Sequence, residues 1–228
     1  MFFPESVQSV TPGDRVLEIG PGGTPHPRAD VFLELRYDDA ERFRRQRGGA
    51  PELVTDKQVV WYGGGTMPFG ENEFDYVICS HVLEHVPDVE PFVSELSRVA
   101  KAGYLEFPTI YYDYVYNIPE HLNLLMYKDG IVHWMKKTDT PLNDFAEVHS
   151  LFFAMLENQR TAFVYENKRF FFQGFEWRDD VKFRRAHDLK TITFAKDEIH
   201  FPNATPKETI LTLKDRAKIK ARLLIDRL

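Results

Sequence analysis

The sequence predicts an α/β protein with a doubly wound, mostly parallel central sheet, and three observations lead to this fold class. Short apolar runs typical of buried strands recur in the first half of the chain, at residues 15–19, 31–35, 58–62, 74–79 and 104–107. A glycine-rich turn, Gly20-Pro21-Gly22-Gly23, follows the first run. A helical pattern separates the last two runs, and strands that alternate with helices form parallel sheets.

The composition argues against several classes of protein. The 228 residues are 43% hydrophobic, with a net charge of −6 and a pI of about 5.8, so we predict one domain over residues 1–228 and no nucleic-acid partner. No apolar run approaches the roughly 20 residues of a membrane span, and residues 1–5 lack a signal-peptide pattern. The single cysteine, Cys79, excludes an internal disulfide and predicts a cytoplasmic location.

The connection between the first two strands should lack its helix. Pro25 and Pro27 lie only two residues apart, and the second strand already begins near Val31. A basic helix is predicted at residues 40–47, capped by Asp38-Asp39. This helix is either a solvated surface element or part of a binding site for an anionic substrate.

A longer helix should begin at Asp88 as its N-cap and end at Lys101-Ala102-Gly103. Its core face is predicted from apolar residues at helical spacing: Val89, Phe92, Val93, Leu96, Val99 and Ala100. The strand that follows, at residues 104–107, should stop at Pro108.

The regular alternation ends after Pro108, and we predict an insertion over residues 109–160 that shapes an acceptor site. It should contain a tyrosine-rich loop, a β-hairpin of residues 122–127 and 131–135, and a helix over residues 144–158. The inward face of that helix is predicted to carry Phe145, Val148, Leu151, Phe152, Met155 and Leu156. Further strands are predicted at residues 163–165 and 191–194.

The last segment, residues 206–228, predicts a C-terminal helix that Pro206 opens. Its apolar stripe indicates packing on the domain or a contact with a partner, such as a second copy of the chain in a homodimer. The residues leave both interpretations open.

Several motifs recur in a fixed order along residues 12–108. They are Glu18-x-Gly20-x-Gly22-Gly23, the carboxylate Glu34, Thr66-Met67-Pro68-Phe69, the block from Glu73 to Asp88 with His81-Val82-Leu83-Glu84-His85, and Arg98 to Gly103. This series resembles the class I S-adenosylmethionine-dependent methyltransferases, in particular the small-molecule group typified by the quinone-biosynthesis methyltransferases. The resemblance implies an enzyme that uses S-adenosylmethionine as its cofactor.

The resemblance also implies a set of cofactor-binding residues: Glu18, Gly20, Gly22, Glu34, Leu35, Gly64, Thr66, Met67, Ser80 and His81. In the family, the glycine turn lies under the methionyl part of the cofactor. Glu18 would face its ammonium group, and Glu34 would accept both ribose hydroxyls, because a carboxylate offers two oxygens to a diol. Thr66 and Met67 would lie by the adenine. Ser80 and His81 would lie near the sulfonium.

Three departures from the family pattern favour a rival interpretation, a non-catalytic methyltransferase-like binding or scaffold subunit. Thr24 stands where the family has its third glycine, and the helix after the turn is missing. The stretch Gly63-Gly64-Gly65 lacks the acidic residue that relatives direct at the adenine amino group.

The acceptor side of the site is less defined. Methyl transfer to a hydroxyl requires a positioned nucleophile and removal of its proton. His121 is our first candidate for the base, followed by Glu120, His81 and His133, although His121 could equally be an ordinary packing residue. Aromatic residues that could wall the acceptor pocket are Tyr111, Tyr112, Tyr114 and Trp134. We expect a small-molecule or glycan acceptor, methylated at oxygen.

The segment His81-Val82-Leu83-Glu84-His85 also fits the H-x-x-E-H pattern of a zinc peptidase. That chemistry needs both histidines on one sustained helix and a third ligand. Because Pro87 would break such a helix, we predict no metal site and expect His85 to hydrogen-bond to backbone.

Overall fold

The structure is a computed structural model that describes residues 1–36, 39, 53–158 and 162–195. The chain divides into two compact units, residues 1–193 and residues 194–228. All elements described below belong to the first unit. The helices predicted at residues 40–47 and 206–228 lie outside the described residues.

Six strands form the main sheet: β1 (Val16–Ile19), β2 (Val31–Leu35), β3 (Gln58–Tyr62), β4 (Tyr76–Ser80), β5 (Ala102–Pro108) and β8 (Phe172–Arg178). Their order is β3-β2-β1-β4-β5-β8. The first five are parallel, and β8 pairs antiparallel with β5. This arrangement confirms the predicted doubly wound, mostly parallel sheet.

The sheet order places a topological switch point between β1 and β4. From β1 the chain moves outward to β2 and β3, then returns to build β4 and β5 on the other side. In open α/β sheets, ligands bind beyond the carboxyl ends of the strands at such a point. The residues that end β1, β2, β4 and β5 therefore define the candidate site.

Five α-helices occur among the described residues: α1 (Val89–Val99), α2 (Ile110–Tyr116), α3 (Ala146–Glu157), α4 (Ala162–Glu166) and α5 (Lys168–Phe171). Short 3-10 helices cover Pro4–Ser6, Lys137–Asp139, Pro141–Phe145 and Leu189–Ile192. Helix α1 buries the predicted apolar face and packs it against β1, β4 and β5 in the main core. Asp88 occupies the N-cap position.

Among the described residues, no helix between β1 and β2 covers the face of the sheet opposite α1, because residues 20–30 form turns. The predicted loss of that helix is confirmed. The N-terminal segment packs there instead, where Met1, Val7 and Val10 contact a buried cluster that includes Tyr76 and Tyr104. Burial of this apolar surface holds the N-terminal segment against the sheet.

A second sheet contains β6 (Asn123–Lys128), β7 (Ile131–Lys136) and β9 (Phe183–Arg185). Strands β6 and β7 form the predicted hairpin. Asp129 and Gly130 make its two-residue turn with φ values of 53° and 74°, the positive pair that a type I′ turn requires. Strand β9 pairs parallel with β7.

Several predictions beyond Pro108 are wrong. The tyrosine-rich segment is helix α2 instead of a loop, and residues 163–165 lie in helix α4 instead of a strand. Residues 191–194 form no strand, whereas β8 and β9 have no predicted counterpart. Aromatic residues suit strands and buried short helices alike, so their density could not separate the two.

The predicted inward face of helix α3 is also wrong. Five of its six apolar residues are exposed, by 39% to 65%: Phe145, Val148, Leu151, Phe152 and Met155. The buried residue of α3 is His149. Helical spacing shows which residues share a face, but it cannot show which side the rest of the chain covers.

Candidate active site

Buried polar side chains crowd the carboxyl edge of the main sheet at the switch point. Glu18 and Glu34, near the ends of β1 and β2, are called here the β1–β2 carboxylates. The β4–β5 cluster comprises Glu84, Glu106, His81, His85 and His121. Both groups lie below the protein surface, since every glutamate in them is buried.

The glycine turn after β1 requires glycine at Gly20. Its φ is +61°, and a Cβ there would lie 2.8 Å from Val82 Cγ2. Its N–H donates to Leu33 O at 2.9 Å, which ties the turn to β2. Gly22 also has a positive φ, +59°, and open space around its Cα. The turn therefore leaves room for a ligand to approach the backbone.

Glu18 is a buried carboxyl with little to balance its charge. Burial, the largest effect, raises the pKa of Glu18 to about 7, and the nearby charge of Glu34 acts in the same direction. The N–H of His26 donates to Glu18 Oε2 at 2.8 Å and opposes this shift. That bond anchors the loop that replaces the missing helix. A bound cation would convert Glu18 to its charged form.

The loop beside Glu18 borders a cavity of about 200 Å³. Its lining combines the N-terminal segment with the two-proline loop, and the residues are Met1, Pro4, Thr24, Pro25, His26 and Pro27. The cavity therefore lies beside the loop that replaces the missing helix.

Residues at the carboxyl ends of β2 and β3 form a second part of the candidate site. Glu34 lies opposite Trp61 in the β2–β3 ladder. Gly64 has a φ of +90°, and a Cβ there would stand 3.7 Å from Leu35 Cδ1, so Leu35 and Gly64 adjoin. Thr66 is exposed beside them.

Met67 is fixed by an ion pair on helix α1. Its N–H donates to Glu95 Oε2 at 2.6 Å, and Arg98 donates to its carbonyl at 3.0 Å. Arg98 Nε and Glu95 Oε1 are 2.6 Å apart. The Met67 side chain packs in the main core. Only its backbone can therefore face a ligand.

His81 bridges two buried carboxylates after β4. Its Nε2–H donates to Glu106 Oε1 at 3.1 Å, and its Nδ1 lies 3.3 Å from Glu84 Oε1. Burial favours the neutral ring, but these two carboxylates outweigh it and raise the pKa of His81 to about 9. His81 is therefore an imidazolium near neutral pH. The Ser80 hydroxyl also donates to Glu106, at 3.0 Å.

His121 and His85 meet on the other side of Glu84. The Nδ1–H of His121 donates to both oxygens of the buried Asp113, at 2.8 and 3.0 Å. The Nδ1–H of His85 donates to Glu120 O at 3.0 Å, as expected from the sequence. The two imidazole centroids are 4.8 Å apart. In each ring the Nδ1 is occupied, which leaves Nε2 for chemistry.

Comparison with known proteins agrees with this geometry. Residues 37–106 match the family described as "Methyltransferase domain". The sterol 24-C-methyltransferase of Schizosaccharomyces pombe is 31% identical over 144 residues, which cover 57% of this chain and 38% of that enzyme. Residues 37–106 of the chain are therefore similar to a methyltransferase domain. The predicted resemblance to the class I S-adenosylmethionine-dependent methyltransferases is thereby confirmed for this domain and its fold.

Solved structures give weaker similarities to this methyltransferase domain. A proposed methyltransferase from Bacillus halodurans is 18% identical, with 78% of this chain and 97% of that chain covered at a TM-score of 0.42. A methyltransferase from Thermotoga maritima is 22% identical, with 47% and 49% covered at a TM-score of 0.33. The chain spans about two fifths of the length of the curated relatives that it matches.

The methyltransferase domain brings only some of the predicted acceptor residues together. Tyr112 stands beside His121, with ring centroids 6.3 Å apart, and Tyr111 packs on Phe170 at 4.3 Å. Trp134 instead packs in the main core, under Arg185. His133 lies on β7 opposite Arg184. Neither residue has a described contact with His121.

The sequence analysis missed three members of the site. Glu106 lies inside an apolar strand, Glu84 was considered only within a peptidase pattern, and Asp113 lies in a segment predicted as a loop. A carboxylate within a strand buried on both faces is a signal for Glu106, because burial of a charge requires a partner. Asp113 had no comparable local signal.

The H-x-x-E-H peptidase interpretation fails on geometry. Residues 82–88 form turns instead of a helix, so His81 and His85 cannot share a helical face. His81 also binds Glu106 and Glu84.

Among the described residues, no helix is long and apolar enough to cross a membrane.

Proposed function

We propose that this protein transfers a methyl group from S-adenosylmethionine to a small-molecule or glycan acceptor, with the cofactor bound at the switch-point edge of the sheet. The observation that carries the proposal is the pair of β1–β2 carboxylates. Glu18 is buried with its pKa raised to about 7, and the second carboxylate, Glu34, ends the neighbouring strand. S-adenosylmethionine offers an ammonium and a ribose diol, which match these two groups.

The other proposed cofactor contacts come from residues along the carboxyl edge of the main sheet. The backbone at Gly20 and Gly22 would lie under the methionyl part, and Glu18 would accept from its ammonium group. Leu35, Gly64 and Thr66 would border the adenosine, to which Met67 offers only its backbone. Ser80 and His81 would lie on the sulfonium side, because they end β4.

Acceptor activation is assigned to His121 and its neighbours instead of His81. A base must be unprotonated at working pH, and Glu106 and Glu84 hold His81 protonated. His121 is oriented by Asp113 and stands beside Tyr112. In the reaction the acceptor oxygen loses its proton and bonds to the methyl carbon. The C–S bond breaks with its electron pair on sulfur, which yields S-adenosylhomocysteine.

Binding of S-adenosylhomocysteine tests the cofactor site. We expect saturable binding by isothermal titration calorimetry, and Glu34→Ala should weaken it by about 1.5–3 kcal/mol, because a charged hydrogen-bond acceptor is lost. Glu90→Ala, at an exposed position on helix α1, is the matched control and should bind as the wild type does. No binding at millimolar ligand would overturn the proposal.

A non-catalytic binding subunit is the second candidate. It is favoured by the His26 N–H, which already occupies one oxygen of Glu18, and by the all-glycine stretch of residues 63–65. Binding of the cofactor without methyl transfer to any acceptor class, measured with labelled cofactor, would favour it. The fission-yeast relative is named for a sterol acceptor, but the 38% of that enzyme covered here is too little to carry the acceptor over. A cytoplasmic location and a homodimer through residues 206–228 remain predictions.

A further inference from the structure

Glu84 is a buried carboxylate that the protein leaves without hydrogen bonds. It is fully buried, and neither oxygen has a hydrogen-bond partner among the described residues. The nearest basic nitrogens are His81 Nδ1 at 3.3 Å and His85 Nε2 at 3.9 Å, both measured to Oε1. Buried charges in proteins are paired with good geometry or coordinate metals. Beyond the ion pair with His81, the lone pairs of this carboxylate can therefore accept a ligand.

Two histidines beside Glu84 are held as metal ligands usually are. His85 donates its Nδ1–H to a backbone carbonyl, and His121 donates its Nδ1–H to the carboxylate of Asp113. A hydrogen bond at one ring nitrogen fixes the tautomer and presents the other nitrogen with its lone pair free. Both histidines thus offer Nε2.

The three side chains converge. One ligand atom from each of Glu84, His85 and His121 lies within 4.8 Å of the other two, whereas ligands of one tetrahedral zinc ion stand about 3.3 Å apart. We propose that Glu84, His85 and His121 bind a divalent transition-metal ion, with Zn²⁺ as the best match to a set of two histidines and one glutamate.

The role of the ion rests on the proposed methyl transfer. Three protein ligands leave a coordination position open, and the acceptor hydroxyl would fill it. Coordination lowers the pKa of a bound hydroxyl, so its proton passes to solvent before the oxygen attacks the methyl carbon. His121 then acts as a ligand that positions the acceptor oxygen, and Asp113 is a positioning residue that acts through His121.

The test uses the full chain, stripped with a chelator and titrated with Zn²⁺ in a calorimeter. We expect one equivalent to bind and to raise the thermal unfolding midpoint. His85→Ala and His121→Ala should weaken binding by roughly 10- to 100-fold or more. His187→Ala, an exposed histidine outside the cluster, is the matched control and should leave binding unchanged. Co²⁺ in place of Zn²⁺ should give a visible absorption band that His121→Ala alters and His187→Ala does not.

Loss of Zn²⁺ binding in the alanine variants could result from unfolding. Asp113→Asn avoids this ambiguity, because the asparagine side chain has the same shape as Asp113. It should weaken Zn²⁺ binding about tenfold while far-UV circular dichroism stays unchanged. Wild-type binding no tighter than that of His121→Ala would overturn the metal site. A chain that binds S-adenosylhomocysteine but no Zn²⁺ overturns this inference alone. A chain that binds Zn²⁺ but no S-adenosylhomocysteine overturns the proposed function and leaves the metal site standing.

Discussion

The β1–β2 carboxylates and the β4–β5 cluster lie at the same edge of one sheet, yet the pKa of Glu18 is shifted in the opposite direction to the pKa values of Glu84 and Glu106. Burial raises the pKa of Glu18 to about 7. Burial also disfavours the charged forms of Glu84 and Glu106, but His81 outweighs it and lowers the pKa of each to about 2. Burial therefore dominates at Glu18, whereas Glu84 and Glu106 share the positive charge of His81.

The difference indicates how the edge divides its work. In the β4–β5 cluster, His81 and Glu106 neutralise each other inside the protein and form a fixed structural element of the site, while Glu84 carries the further negative charge that the proposed metal ion would balance. The His26 N–H, the N-terminal ammonium and Lys57 lower the pKa of Glu18 but do not offset its burial, so a further cation would stabilise its charged form. A ligand with an ammonium group therefore fits the β1–β2 side.

The largest effect is expected from Glu106→Ala. Five donors converge on Glu106: the N–H groups of Phe2 and Phe3, Ser80 Oγ, Tyr104 Oη and His81 Nε2. Removal of the carboxylate leaves the four other donors unpaired and takes one of its two carboxylate partners from the His81 imidazolium, which should cost about 3–5 kcal/mol in the free energy of unfolding. Urea denaturation at neutral pH measures it.

Glu71→Ala is the control for that experiment, because Glu71 is exposed in a turn and should change stability by less than about 0.5 kcal/mol. A Glu106→Ala protein as stable as the control would mean that His81 and Glu106 do not neutralise each other inside the protein. The contrast between the two sides of the sheet edge would then be lost.

Sequence reasoning succeeded where local patterns determine structure. The five parallel strands, the lost helix after Gly20 and the Asp129-Gly130 turn follow from apolar runs, proline positions and turn chemistry. The β1–β2 carboxylates were found for the same reason, since each ends a predicted strand in a recognised motif.

Long-range packing explains what sequence reasoning missed. Helix α3 has an apolar stripe, but which side the chain covers depends on distant segments. The pairing of His121 with Asp113 depends on helix α2, which an aromatic-rich segment did not reveal. Glu106 and the N–H groups of Phe2 and Phe3 lie more than a hundred residues apart in the chain. No local pattern predicts a contact at that separation.

A smaller effect should come from Glu18→Gln, through the pH dependence of stability. The folded protein holds a proton on Glu18 up to about pH 7, whereas the unfolded chain releases it near the ordinary glutamate pKa of 4.5. The unfolded state therefore binds fewer protons in this window, so the free energy of unfolding falls as pH rises from about 4.5 to 7, by on the order of 3 kcal/mol.

Glu18→Gln should remove that contribution, because its neutral amide can still accept from the His26 N–H. Denaturation series at pH 5, 6, 7 and 8 compare the two proteins. Glu71→Gln, at the exposed turn, should retain the wild-type slope. Parallel pH profiles for wild type and Glu18→Gln would show that Glu18 is charged in the folded protein, and the distinction between the two sides would disappear.

The smallest effect concerns ligand affinity and connects the comparison to the proposed function. Protonated Glu18 cannot accept from an ammonium group, so S-adenosylhomocysteine should bind about fivefold more tightly at pH 7 than at pH 6. Binding at pH 6.5 should also release a proton, which calorimetry detects as a binding heat that varies with the ionisation enthalpy of the buffer. Glu18→Gln should bind with no proton release and no such pH dependence. Equal proton release by both proteins would assign the released proton to another group and remove Glu18 as the partner of the ammonium.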